Sequence, residues 1–292
     1  MLRRNFLCAL AAAGFTRPLG LSLFTVRAPL AAKPEATYQA LAAAGLTELE
    51  VRPANLTDHA AFIRAAGLKP VHMFIDSAVI TGAWDEWQSF QTQMASRMKM
   101  ALPKEPPPRP ALADLIGLAK KHGVGRIGVS YLLPGERVNS IAKLNDAAEA
   151  CREAGIGFYY HNHAFEFEGE PGVRFIDRLH KELHPHARLE LDVFWAAIGG
   201  EDPAALLRKW SGRVGSLHLK DVAASAPRKT AEFSMPPSAF KEVGFGTLDW
   251  KAILAAARDA RVDHYLLEQD ATPGDPLDSI RASVGYLRGL SI

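Results

Sequence analysis

The chain has 292 residues, of which 48% are hydrophobic and 23% charged, with a formal net charge of +2. That is apolar material for one sizeable core, and the charge balance argues against nucleic acid as the partner. Two cysteines, Cys8 and Cys151, lie far apart in sequence, so neither a Cys-rich metal motif nor a structural disulfide is expected.

Arg3 and Arg4 stand before an apolar Ala/Leu stretch that runs to about Phe15, the pattern of a twin-arginine export leader. Residues 1–18 are expected to send the folded protein to the periplasm; the alternative is a basic N-terminus on a cytoplasmic protein. A cut within Ala11 to Pro18 spares the first strand, whereas a cut near Ala31 deletes it. No other apolar run has the length of a membrane span, so no stable span is expected in the mature chain.

From 19 to 292, eight apolar runs alternate with helix-compatible segments. Leu19 to Val26 reads as a strand and Lys33 to Ala44 as a helix that Gly45 stops. Thr47 to Val51 and Asp58 to Ala66 repeat the unit, ended by Gly67, and Lys69 to Ile75 is the third strand. Regularity then breaks between 76 and 110. An amphipathic stretch from Trp84 to Met98 leads into Pro103-Lys104-Glu105-Pro106-Pro107-Pro108, which no regular element accommodates. This excursion is read as a lid over the barrel mouth, with a plain surface loop as the alternative.

Order returns with a helix over Ala111 to His122, a strand over Arg126 to Leu132 and a helix over Asn139 to Ala154. The last four strands are Gly157 to His161, Arg188 to Asp192, Val214 to His218 and Asp263 to Glu268. Helices over Val173 to Leu183, Pro203 to Trp210 and Trp250 to Ala260 lie between them, and Leu277 to Leu290 closes the series. Alternation of this kind predicts a single-domain α/β protein, a (β/α)8 TIM barrel.

His161, Asp192, His218 and Glu268 fall at or just past the ends of these last four strands. One polar strand-end residue is ordinary; four on consecutive strands point to a metal site at one end of the barrel. Imidazole and carboxylate without thiolate suit one divalent ion among Mn, Zn, Co, Fe and Mg, and the low oxygen count argues against calcium. His163 shares a strand face with His161, and Lys220 with His218, if their strands extend that far. Lys220 is read as binding a substrate oxygen or offsetting enolate charge, or else as pairing with Asp221. Glu50 and His72 are placed where they contact sugar hydroxyls or make buried hydrogen bonds, and Phe24, Phe194 and Trp195 form an apolar wall or simply pack.

Tyr160-His161-Asn162-His163-Ala164-Phe165-Glu166-Phe167, Glu190-Leu191-Asp192-Val193-Phe194-Trp195, Leu217-His218-Leu219-Lys220-Asp221 and Val243-Gly244-Phe245-Gly246-Thr247-Leu248-Asp249-Trp250 resemble the xylose-isomerase-like sugar phosphate isomerase/epimerase superfamily, in a branch marked by His-Asn-His. The likeness runs from Leu19 to the C-terminus and is weakest over 76–110. It implies one divalent metal bound by a glutamate, an aspartate, a histidine and a second glutamate. Carried over, the last three are Asp192, His218 and Glu268, while the first falls on His161, a departure. In that family's epimerases two metal-bound glutamates exchange the proton, so the loss of one leaves Glu268 as the base, with His161 or His163 returning a proton. Glu166 is the other carboxylate within reach of the gap. The resemblance implies a sugar isomerase or epimerase working through an enediolate on a small-molecule keto-sugar. A lyase of the inosose-dehydratase kind or one eliminating from a 3-keto-glycoside, a noncatalytic carbohydrate-binding barrel, and a DNA-cleaving relative are the alternatives.

Overall fold

Strands buried in a parallel barrel commonly read as unbroken apolar runs. Here they alternate. In Leu49-Glu50-Val51, His72-Met73-Phe74-Ile75, Leu189-Glu190-Leu191-Asp192 and Leu217-His218-Leu219-Lys220, the apolar residues occupy one set of alternate positions and most of the other set ionises. With a side-chain period of two, all members of one set share a face. The computed structural model describes residues 14–97, 109–228 and 235–291. Arg3, Arg4, Cys8 and the Pro103 to Pro108 run lie outside them.

The strands are β1 (Gly20–Ser22), β2 (Glu48–Val51), β3 (Lys69–Ile75), β4 (Arg126–Val129), β5 (Gly157–His161), β6 (Ala187–Asp192), β7 (Val214–Leu219), β8 (Asp221–Val222), β9 (Phe240–Lys241) and β10 (His264–Leu267). β8 and β9 form a separate antiparallel pair. The other eight close a parallel barrel in which β1 pairs with both β2 and β10. The helices are α1 (Arg27–Ala32), α2 (Pro34–Ala43), α3 (Pro53–Ala65), α4 (Ala78–Thr81), α5 (Trp84–Arg97), α6 (Leu112–Lys121), α7 (Ser140–Glu153), α8 (Phe175–Glu182), α9 (Val193–Ile198), α10 (Pro203–Lys209), α11 (Trp250–Asp259) and α12 (Pro276–Gly289). This is the expected (β/α)8 architecture in one domain.

The alternation now has its reason. Leu49, Met73, Ile127, Phe158, Leu189, Leu217 and Tyr265 belong to the apolar core outside the barrel, where the helices lie. The other set meets across the barrel axis: His218 on β7 bonds Glu50 on β2, and His72 on β3 bonds Glu190 on β6. A Cβ on Gly128 would lie 2.5 Å from Tyr159, so only glycine there leaves that ring its place in the lumen.

The structure departs from the sequence reading in several parts, among them β4, which stops at Val129, and α3, which starts at Pro53. β1 stops at Ser22 because the chain turns at once, with Thr25 N–H donating to Ser22 C=O and Val26 N–H to Leu23 C=O, and then enters α1. The 76–110 excursion contains α4 and α5; Trp87 is buried and Phe90 stacks on Tyr131 at 5.6 Å. Val193 to Ile198, apolar throughout and lacking helical periodicity, forms the buried helix α9 because Asp192 caps it by accepting from Trp195 N–H at 2.9 Å.

The N-terminal end of the barrel is plugged by charge. Asp263 accepts from Arg126 at 2.7 Å and Arg188 at 2.8 Å, and the His264 ring lies 2.8 Å from Glu48. Gly14 pairs with Ser291, Arg288 donates to the carbonyls of Phe15 and Arg17, and the buried Phe15 ring meets Tyr265 edge-on at 5.0 Å. Phe15 and its neighbours from Gly14 to Pro18 fall inside the stretch read as a leader. No helix among the described residues is long and apolar enough to cross a membrane.

Candidate metal centre

β5, β6, β7 and β10 bring His161, Asp192, His218 and Glu268 together at their C-terminal ends. His161 Nε2 lies 3.8 Å from Asp192 Oδ2, His218 Nδ1 lies 3.8 Å from the same oxygen, and Glu268 Oε2 is 3.1 Å from His218 Nδ1. Bonds of about 2.0–2.2 Å in a tetrahedral shell set neighbouring donors roughly 3.3–3.6 Å apart. The observed spacings bracket that value. Asp192 divides its work, Oδ1 capping α9 while the buried Oδ2 points into the site, where the Lys220 ammonium lies 3.0 Å away.

Each imidazole turns its second nitrogen down the barrel axis. His218 Nε2 lies 2.9 Å from Glu50 Oε1, and His161 Nδ1 lies 3.5 Å from Glu190 Oε2. A carboxylate behind a metal-binding histidine fixes its tautomer and aims the other lone pair. His72 ties the two carboxylates together, 3.1 Å from Glu190 and 3.7 Å from Glu50, and Tyr159 donates to Glu50 at 3.1 Å. Glu50 and His72 are thus buried beneath the histidines, where the reading as buried hydrogen-bonding residues fits and direct contact with a sugar does not. Among the described residues the triads whose ligand atoms all lie within 4.8 Å of one another are His161, Glu190 and His218; Glu50, His72 and Glu190; and Glu50, His218 and Glu268, none of which includes Asp192. Glu190 Oε2 lies 3.5 Å from both His161 Nδ1 and His218 Nε2, so the lower layer is itself a cluster of carboxylates and imidazoles.

Lys220 does not pair with Asp221. Its fully buried ammonium lies 3.0 Å from Asp192 Oδ2, 2.5 Å from Glu268 Oε2 and 3.0 Å from Asp270 Oδ2. Asp221 is consumed elsewhere. It accepts from Val222, Gly244, Gly246 and Leu248 N–H and from the Trp250 indole at 2.7–3.2 Å, fastening the 243–250 loop to the end of β7. Glu166 is likewise occupied, accepting from the Tyr160 hydroxyl at 2.7 Å and His163 N–H at 2.8 Å. Asn162 grips the backbone of Asp192 from both sides. Residues 160–166 therefore hold the site in shape, with His161 and His163 as the side chains that face it.

The charges follow from these neighbours. Burial opposes a charged His218, but Glu50, Glu190 and Glu268 outweigh it and hold its pKa well above the usual histidine range. Burial also favours neutral Glu190 and Glu268; His218 with His161 and His72 overrides it at Glu190, and Lys220 with His218 overrides it at Glu268, so both carboxylates titrate well below normal. Burial and the adjacent carboxylates push Asp270 up despite Lys220. His163 is driven well below the histidine range by burial, then by His161 and Lys220, which makes it a neutral imidazole.

His163 sits 5.0 Å from the His161 ring and 5.3 Å from Trp195, with the edge of Tyr131 on another side. Through Phe90 and Tyr131, α5 thus reaches the mouth. Phe24 is half exposed at the opposite rim under the Arg27 guanidinium, which donates to Asp270 C=O at 3.0 Å. The sequence reading missed Glu190 and Asp270. Each lies two residues from an assigned strand-end carboxylate, so the same period-two argument that joined His161 to His163 reaches both.

Fold and site define a (β/α)8 barrel with layered carboxylates and imidazoles at the C-terminal end of its later strands. Residues 111–290, more than half of the chain, match the xylose isomerase-like TIM barrel profile. The chain belongs to that family. It is 28% identical over 155 residues to an inosose dehydratase of Geobacillus thermodenitrificans, an overlap of 50% of this chain and 51% of that protein. It thus spans about half the length of the curated relatives it matches. The structure superposes on a sugar phosphate isomerase/epimerase from Parabacteroides distasonis with a TM-score of 0.67, 19% identity and 96% of both chains covered. A D-allulose 3-epimerase from a Methylomonas species, solved with D-allulose, gives 0.64 at 13% identity, covering 95% of this chain and 99% of that one.

Proposed function

We propose that this chain is a divalent-metal-dependent enzyme that enolises a keto-sugar or keto-polyol from a single carboxylate base, with β-elimination of water or an alkoxide as the favoured outcome. The reading rests on one observation: the end of β5 presents the imidazoles of His161 and His163, and the carboxylates beside them, Glu190 at 3.5 Å from His161 and Glu166 on His163 N–H, are fully buried. Symmetric two-glutamate epimerisation has no second base there. The inosose dehydratase relative supports elimination; the epimerase neighbours share the fold and support isomerisation as the second reading.

His161 Nε2, Asp192 Oδ2, His218 Nδ1 and Glu268 Oε2 are the atoms that would hold Mn, Zn, Co, Fe or Mg, and the donor spacings, with two carboxylate oxygens gathered on a single buried cation, fit such an ion. When bound, the ion polarises a carbonyl and its neighbouring hydroxyl. Glu268, held ionised, takes the proton from the carbon beside the carbonyl. Lys220, within reach of both Glu268 and Asp270, steadies the negative charge that develops on substrate oxygen. The proton that Glu268 has taken passes to the departing oxygen, or back to carbon if the product is an isomer, and neutral His163 orients that oxygen by a hydrogen bond. Trp195, packed on His163, walls the sugar face beside it.

The test is incubation of the metal-loaded protein with keto-sugars, cyclic keto-polyols and 3-keto-glycosides in heavy water, followed by mass spectrometry. Wild type is expected to incorporate deuterium and lose water or an aglycone from at least one of them. Glu268→Gln should do neither while retaining metal, and His161→Ala should lower metal occupancy. Neither exchange nor mass loss with any compound, with metal present, refutes catalysis and leaves a carbohydrate binder.

A further inference from the structure

We propose that Lys220 is an internal stand-in for the site's cation, so that metal binding drives its ammonium off Asp192 and Glu268 and onto Asp270. The inference rests on the metal reading above. The oxygens that Lys220 touches, Asp192 Oδ2 at 3.0 Å and Glu268 Oε2 at 2.5 Å, are the same two oxygens assigned to the ion. A divalent ion and an ammonium cannot share them, because two cations so close in a buried site repel strongly.

Lys220 has somewhere to go. Asp270 Oδ2 already lies 3.0 Å from the ammonium and belongs to the loop beyond β10, where its side chain is 23% exposed against 8% for Glu268. The Phe194 and Trp195 rings lie 6.0 and 5.7 Å from the ammonium. A flexible four-carbon stem ending in one compact charge suits exchange between such positions better than a planar guanidinium would. Without metal, Lys220 keeps two buried carboxylates from facing each other unpaired. With metal, it stands at Asp270, toward the mouth, where a substrate oxygen arrives. Metal uptake and the delivery of Lys220 to substrate become one event.

Calorimetric titration of chelator-stripped full-length protein with Mn²⁺ tests this, with melting curves recorded before and after metal. Lys220→Met should bind Mn²⁺ about ten-fold more tightly than wild type, since no ammonium has to be displaced. Stripped Lys220→Met should melt below stripped wild type and gain more from Mn²⁺. Asp270→Asn should bind Mn²⁺ more weakly than wild type, because the displaced ammonium loses its second partner; this arm decides the matter if Lys220→Met does not fold. Equal or weaker binding by Lys220→Met, or wild-type affinity in Asp270→Asn, overturns the exchange and leaves the metal reading standing. A wild type that binds neither Mn²⁺ nor Zn²⁺ overturns both.

Discussion

Replacing Asp221 with asparagine should damage the barrel mouth without touching a ligand. Oδ1 receives Val222 and Leu248 N–H, and Oδ2 receives Gly244 N–H, Gly246 N–H and the Trp250 indole. Whichever way an amide is placed, its NH₂ faces at least two donors in a fully buried position. Hydrogen bonds to a charged acceptor contribute about 1.5–3 kcal/mol each, and a buried donor left unpaired costs about 1–3 kcal/mol. Allowing for relaxation of the loop, the loss should be about 4 kcal/mol. At roughly 2–4 °C per kcal/mol for a large domain, the melting temperature should fall by about 8–16 °C. Differential scanning calorimetry of Asp221→Asn beside wild type measures this. A drop below about 3 °C would refute the claim that this carboxylate organises the 243–250 loop. Gly246→Ala offers an independent route to the same damage, since its Cβ would lie 2.3 Å from Asp221 Oδ1.

Two further outcomes are expected. Burial opposes the charge on Asp263, but Arg126 and Arg188 hold its pKa below the ordinary aspartate value. A depressed carboxylate stabilises the fold above its unfolded pKa and loses that contribution as pH falls through its folded one. Asp263→Asn should therefore cost stability at pH 7 and much less near pH 3, and equal costs in a urea melt at both values would contradict the pairing. We also propose that the chain is exported through Arg3 and Arg4 and cleaved before Phe15, which sparing the contact with Tyr265 requires. Changing both arginines to lysine should confine it to the cytoplasm in a fractionation assay, whereas periplasmic recovery unchanged by that substitution, or a mature N-terminus beyond Phe15, would refute the respective half.

What was legible in the sequence is what short-range periodicity encodes. Lys69–Ile75 and Gly157–His161 were readable to the residue, because apolar alternation begins and ends there between glycine or helix stops. Strand ends gave the positions of His161, Asp192, His218 and Glu268 for the same reason. Partners across the lumen were not legible. Nothing local to Lys220 says that Asp270, rather than the adjacent Asp221, is its neighbour; closure of the barrel brings β7 beside β10, and the 243–250 loop claims Asp221 first. Nor did Val193 to Ile198 announce a helix, since all its sides are buried and it shows no polar face from which a period can be read.

The Gly14–Ser291 pairing places both ends of the described chain on the charged, plugged face, remote from the metal layer. A short linker from Ser291 back to Gly14 could therefore make the backbone circular without strain on the mouth. New termini could then be opened in any helix-to-strand turn on that same face, for instance at Gly123 or Gly155. The site is built by a ring of strands and has no natural first member, so circular permutation offers a way to attach tags, partners or surfaces at chosen points around it.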